Sequence, residues 1–153
     1  MDKHNQSQTS ALKVLLNRWA PVVLWAVVIF LLSNTPDPYG YIPKGILRWI
    51  WWTKLFGYSM IYILGLAAHF LEYAVLSFLL ARAVMWDGGV QRNRFILVFA
   101  LTLLYAVSDE IHQIFTPGRA FQLVDLLMDS LGSLIGLAAY LLWVKRLRYP
   151  VVR

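Results

Sequence analysis

Three stretches of the chain set groups able to move protons or hold a cation at helical spacings. They are HFLEY, His69 to Tyr73, then SDEIHQIFTPGR, Ser108 to Arg119, then VDLLMDSLGSLIG, Val124 to Gly136. In the first, His69, Glu72 and Tyr73 stand three and four residues apart and therefore share one face of a helix. In the second, Asp109, His112 and Gln113 repeat that spacing, with Glu110 displaced by roughly 100° around a 3.6-residue turn. In the third, Asp125 and Asp129 are one turn apart and continue on the same stripe into Gly132 and Gly136. Carboxylates and imidazoles so grouped serve as general acids and bases, or as ligands for a divalent cation. Asp109, Glu110, His112 and Asp125 are the catalytic candidates. Asp109, Asp125 and Asp129 form an oxygen donor set for a hard ion, and His69 and His112 extend it to a mixed site.

The elements that must carry these groups are membrane helices. With 59% hydrophobic and 14% charged residues and a mean hydropathy of +0.59, the chain departs from a soluble domain, about a quarter of whose residues are charged. Four apolar windows approach the roughly 20 residues that cross a hydrocarbon core. They lie at about 19–33, 60–84, 95–115 and 123–144, and none alternates with the period of a barrel strand. The fold expected is an all-α integral membrane four-helix bundle in one domain. Between the first two spans, IPKGILRWIWWTKLFGY mixes Trp49, Trp51, Trp52, Phe56 and Tyr58 with Lys44, Arg48 and Lys54. It is too short and too charged to span, and reads as an amphipathic helix in the interface, where indole rings prefer to sit.

Lys and Arg set the orientation. With both ends cytoplasmic, ten of them fall inside and four, Lys44, Arg48, Lys54 and Arg119, fall outside, which favours N-in and C-in. The first span lacks a small-residue cleavage site and reads as a retained helix. Basic residues separate apolar runs instead of forming a stripe, so the +6 net charge does not point to nucleic acid. The chain has no cysteine, which removes thiolate ligands and nucleophiles, and no internal repeat of the kind that builds transporters.

The cost of the polar groups argues that they act. A carboxylate at a helix centre costs about 2.5 to 3.5 kcal/mol on insertion scales, so Glu72, Asp109, Glu110, Asp125 and Asp129 together cost on the order of 10 kcal/mol before pairing. By depth, Asp109, Glu110, Asp125 and Asp129 share the outer half of the bundle above a floor of His69 and Glu72. A Gly-x-x-x-Gly stripe lets a helix backbone approach a neighbour closely, so the aspartate face of the fourth span turns inward, although such a stripe also serves dimers. Pro117 and Gly118 end the third helix. Arg119 then either clamps a phosphate or carboxylate or bridges Asp125 or Asp109.

The run SDEIHQIFTPGRAFQLVDLLMDSLGSLIG, with HFLEY before it, resembles the signature of the VanZ-like family of small bacterial membrane proteins. The matching residues are His69 and Tyr73, Asp109, Glu110 and Gln113, Pro117, Gly118 and Arg119, and Asp125, Gly132 and Gly136, over roughly residues 22 to 142. The chain departs from the pattern at Asp129, often Asn, and at Leu66, often Lys, which makes this site more acidic. The family is named for a protein associated with resistance to the glycopeptide antibiotic teicoplanin. The resemblance implies a multi-pass protein of the bacterial cytoplasmic membrane acting on or near the outer envelope, without implying a reaction. The expected function is binding of a lipid-linked envelope precursor or lipoglycopeptide, with Arg119, Gln113, His69, Tyr73 and Glu72 as ligand-binding residues. The alternative is an acid/base or divalent-metal enzyme acting on a lipid phosphate or glycolipid. A proton conduit relayed by Glu72 is a third reading.

Overall fold

The computed structural model describes residues 3–148 except 38, 39, 41 and 88, with side chains from 12 to 146. Its elements in chain order are α1 (Lys3–Ser33), α2 (Lys44–Trp52), a two-stranded hairpin β1 (Lys54–Leu55) and β2 (Tyr58–Ser59), α3 (Met60–Val84), α4 (Arg92–Gln113) and α5 (Leu123–Arg148). Four helices are long and apolar enough to cross a membrane: the Leu12–Ser33 part of α1, α3, α4, and α5 to Arg146. The protein is an all-α, multi-pass membrane bundle.

Two of the differences from the expected boundaries have a direct physical reason. Helix α1 extends into the polar residues before Trp19, because Lys13, Asn17 and Arg18 continue a helix at little cost. Helix α4 stops two residues early, since the residue before a proline avoids helical backbone. Phe115 and Thr116 instead close tight turns onto His112 O and Gln113 O at 3.0 Å each. Gly118 then takes φ +80°, a left-handed value that favours glycine. The aromatic segment is likewise a nine-residue helix followed by a hairpin, not one helix. Phe56 and Gly57 both take positive φ, 54° and 87°, as a two-residue hairpin turn requires. No residue of α2 is buried, and Trp49, Trp52 and Phe56 are among the most exposed apolar side chains described.

Packing centres on α3 and α5. Contacts progress in the same direction along both helices, His69 with Asp129, Phe70 with Gly132 and Ala74 with Gly136, so the two run parallel. A Cβ added at Gly132 would lie 2.2 Å from Phe70 O, and one at Gly136 would lie 2.1 Å from Ala74 O. The Gly-x-x-x-Gly stripe is therefore occupied within the chain, where it brings two backbones together. Ser77 Oγ donates to Ser133 O at 2.8 Å beside this contact, and Tyr140 Oη donates to Met85 O at 2.9 Å further down.

Helix α1 lies against this pair more loosely and is held by side chains that donate to backbone carbonyls. Trp25 Nε1 donates to Glu72 O at 2.9 Å, Tyr105 Oη donates to Ala26 O at 2.6 Å, and Arg18 Nε donates to Ala83 O. Pro21 sits inside α1 and has no N–H, which leaves the carbonyl four residues earlier, Asn17 O, without its helical donor. Arg82 of α3 supplies one, with Nη2 at 2.9 Å. Beyond α3, Arg94 donates to Asp87, and that bond holds the Asp87 carboxyl below the usual carboxylate range.

Restoring the missing donor should make the arginine dispensable. Arg82→Ala is expected to cost about 1 kcal/mol, and clearly less in a Pro21→Ala background, where residue 21 can donate to Asn17 O. Thermal unfolding of the four proteins of this double-mutant cycle in detergent measures the coupling; equal costs in both backgrounds refute it.

Candidate functional site

The polar groups gather at the end of the bundle where α1 and α4 finish and α3 and α5 begin. The spacing along each helix decides which of them meet. On α4 the buried positions are Val98, Thr102, Ala106, Asp109, Glu110 and Gln113. At 100° per residue, these form an arc running from Asp109 through Gln113 to Glu110. His112 lies on the far side of Asp109 from that arc. Its ring packs on Phe30 of α1 with centroids 4.8 Å apart. Its Nε2 is buried and makes no hydrogen bond.

His69 is the centre of the group. It lies about 14 Å along α3 from Met60 at 1.5 Å per residue, where the glycine contact has drawn α5 close. Its Nδ1 is 3.0 Å from Asp129 Oδ1, and its Nε2 is 3.9 Å from Asp125 Oδ2. One imidazole thus stands between two carboxylates a turn apart on α5. Glu110 is fully buried and does not reach the surface. Its Oε2 accepts the backbone N–H of Gln122 at 2.8 Å, placing a carboxylate at the N-terminus of α5, where the helix dipole favours it.

A cavity of about 520 Å³ opens beside this cluster. Its polar wall is His69, Glu72, Asp109, Gln113, Arg119, Gln122, Asp125 and Ser33, and its apolar wall comes from Trp51, Tyr62, Leu32, Leu64 and Leu66. Gln113 donates Nε2 to Asp109 Oδ2 at 3.4 Å. Arg119 bridges neither Asp125 nor Asp109. It donates Nε to Thr35 O and Nη2 to Leu32 O, both at 3.4 Å, at the carbonyl end of α1. Nη1 takes no part in these bonds.

Of the residues singled out from the sequence, His69, Glu72, Asp109, Gln113, Arg119 and Asp125 line one cavity. Glu110 and Asp129 lie behind it and His112 to its side. Tyr73 is fully buried beneath the floor, with its ring 6.3 Å from that of Tyr105. The oxygen set Asp109, Asp125 and Asp129 is not the most compact one. Among the described residues, the His/Asp/Glu group whose donor atoms come within 4.8 Å of one another is His69, Glu110 and Asp129. Tyr62, Ser33 and Gln122 line the cavity without belonging to any of the motifs read from the sequence, whereas Trp51 comes from the aromatic interfacial segment. Ser33 and Gln122 could have been noticed as the polar residues that flank the first and fourth spans.

A sequence profile of the VanZ/LLP1 family matches residues 18–144, the greater part of the chain, and includes every cavity residue. The chain belongs to the VanZ/LLP1 family. No curated protein and no solved structure matches it. In this VanZ/LLP1 protein the matched region begins in α1 and ends near the close of α5, so it takes in the second and third candidate spans whole and most of the first and fourth.

The site depends on the α3 and α5 backbones touching. Gly136→Ala and Gly132→Ala are each expected to cost about 1–3 kcal/mol and to part His69 from Asp129. Gly45→Ala in α2, where a Cβ meets nothing within 4 Å, should leave stability unchanged or raise it slightly. Unfolding midpoints in detergent check both, and a Gly136→Ala protein as stable as the parent contradicts the packing.

Proposed function

We propose that the cavity receives the polar head of an amphiphile of the bacterial cell envelope, a lipid-linked precursor or a lipoglycopeptide-type ligand, at the outer leaflet of the cytoplasmic membrane. The observation that carries this reading is the make-up of the cavity wall. One side is aromatic and aliphatic, suited to a chain lying in the bilayer, and the other carries an arginine, a histidine and three carboxylates. Carboxylates accept hydrogen bonds from hydroxyl, amide and ammonium groups, so a sugar- or peptide-rich head suits the depth of the cavity better than a bare phosphate. An anionic group on the same head would meet Arg119 at the rim.

The ten-to-four asymmetry of Lys and Arg supports the outer-leaflet placement. The exposed aromatic side chains of α2 and the hairpin support an interfacial position for the cavity mouth.

A second reading is favoured by His69. An imidazole with one ring nitrogen held by a carboxylate and the other close to a cavity carboxylate has the arrangement of a general base. On that reading the protein is an acid/base enzyme on a lipid phosphate or glycolipid, with His69, Asp109 and Asp125 acting in the cavity.

For the binding function, Arg119→Ala and Asp125→Asn should each weaken binding of fluorescent teicoplanin to the nanodisc-embedded protein by about tenfold, roughly 1.4 kcal/mol. Each should also lower the teicoplanin tolerance of expressing cells. Unchanged affinity and tolerance in both variants refute it. Turnover of a lipid phosphate or glycolipid that disappears in His69→Gln selects the enzyme instead. Reporter domains fused to each end should both report the cytoplasm, and an external report from either end removes the outer-leaflet placement.

A further inference from the structure

Glu110 and Asp129 share a property that the cavity does not explain. Both are fully buried, on different helices, and each has one carboxylate oxygen, Oε1 and Oδ2, that accepts no hydrogen bond. Buried polar oxygens almost always find a donor, and an ionised carboxylate without one is costly. Here two such groups converge. Donor atoms of Glu110, Asp129 and His69 all lie within 4.8 Å of one another.

From this we infer that His69 of α3, Glu110 of α4 and Asp129 of α5 form a binding site for a first-row divalent cation, buried behind the cavity. The spacing suits an ion. Two donors each about 2.1 Å from a metal stand roughly 3.0 to 3.4 Å apart across angles of 90° to 109°, and one pair of the set, His69 Nδ1 and Asp129 Oδ1, is 3.0 Å apart. A set of one imidazole and two carboxylates suits Zn²⁺, Mn²⁺ or Fe²⁺ better than Mg²⁺ or Ca²⁺, which prefer oxygen alone. Charge points the same way, because a dication offsets the two buried carboxylates while leaving the imidazole neutral and able to ligate.

The surroundings are those of a supported site. Glu110 is oriented by the Gln122 N–H at its other oxygen, which is how outer contacts fix metal ligands. Asp129 is fixed by the helix that the glycine contact pins to α3. His69 also lines the cavity and is 8% exposed, so it marks the route by which an ion would reach the site. Since the three ligands come from three helices, the ion would clamp the bundle at this end. This inference does not depend on what the cavity binds.

The full-length protein, purified in detergent and desalted, should carry about one equivalent of a first-row divalent metal by plasma mass spectrometry. After stripping with EDTA, ZnSO₄ or MnCl₂ should restore that equivalent and raise the unfolding midpoint. Glu110→Gln and Asp129→Asn should each weaken retention by at least about tenfold, whereas Asp109→Asn and His112→Ala should keep it. No bound equivalent and no shift in midpoint for the unmutated protein with either ion overturn the site and leave a shared proton as the means of neutralisation. Loss of metal in Asp109→Asn with retention in Glu110→Gln overturns it equally, by moving the ion into the cavity. Teicoplanin binding measured on the stripped and the reloaded protein separates this result from the fate of the binding function.

Discussion

The contact of α3 and α5 through Gly132 and Gly136 governs what the rest of the molecule can do. With Phe70 O and Ala74 O lying where a side chain would begin, the two backbones approach as closely as helices can. The register of that approach sets His69 opposite the Asp125 and Asp129 turn. A slip of one residue rotates α5 by about 100° and turns both aspartates away from the imidazole. The polar cluster is thus a consequence of two missing side chains, and its position along the bundle follows from where they occur in the sequence.

Around that contact, four of the carboxylates each have their own accommodation to a low-dielectric setting. Asp129 pairs with His69 at 3.0 Å, Asp125 faces the other ring nitrogen from the first turn of α5, and Glu110 caps the N-terminus of the same helix. Asp109 has Gln113 one turn along its own helix. The cation of the group, Arg119, faces the opposite kind of terminus and donates to the carbonyls that end α1. Helix ends therefore contribute as much as ion pairs to holding charge here, which agrees with the modest net value of buried ion pairs.

Much of this was legible in the sequence. Hydropathy gave four spans, the first of them seven residues short at its polar start, and the spacing of Asp125, Asp129, Gly132 and Gly136 gave a stripe that is buried throughout. What spacing alone could not give was the centre of each buried face. Asp109, His112 and Gln113 fit one stripe and Glu110 falls off it, yet the interior arc of α4 runs from Asp109 towards Glu110 and leaves His112 against Phe30. The choice is made by which helices flank α4, and neighbours are a tertiary property. The hairpin after α2 was missed for a related reason: Phe56 and Gly57 carry the turn, and a phenylalanine at positive φ is not a turn signal.

Pro21 gives α1 a different kind of constraint. A membrane helix packed on an apolar neighbour can slide by small steps, since one greasy surface resembles the next. In α1, one carbonyl among otherwise saturated ones is left needing a donor, and Arg82 reaches that carbonyl from the adjoining helix. Any axial shift of α1 moves that carbonyl away, by 1.5 Å per residue, and offers the guanidinium only carbonyls that already have partners. The absent hydrogen works as a positional index, fixing how far α1 projects at the opposite end, where Leu32 O and Thr35 O receive Arg119.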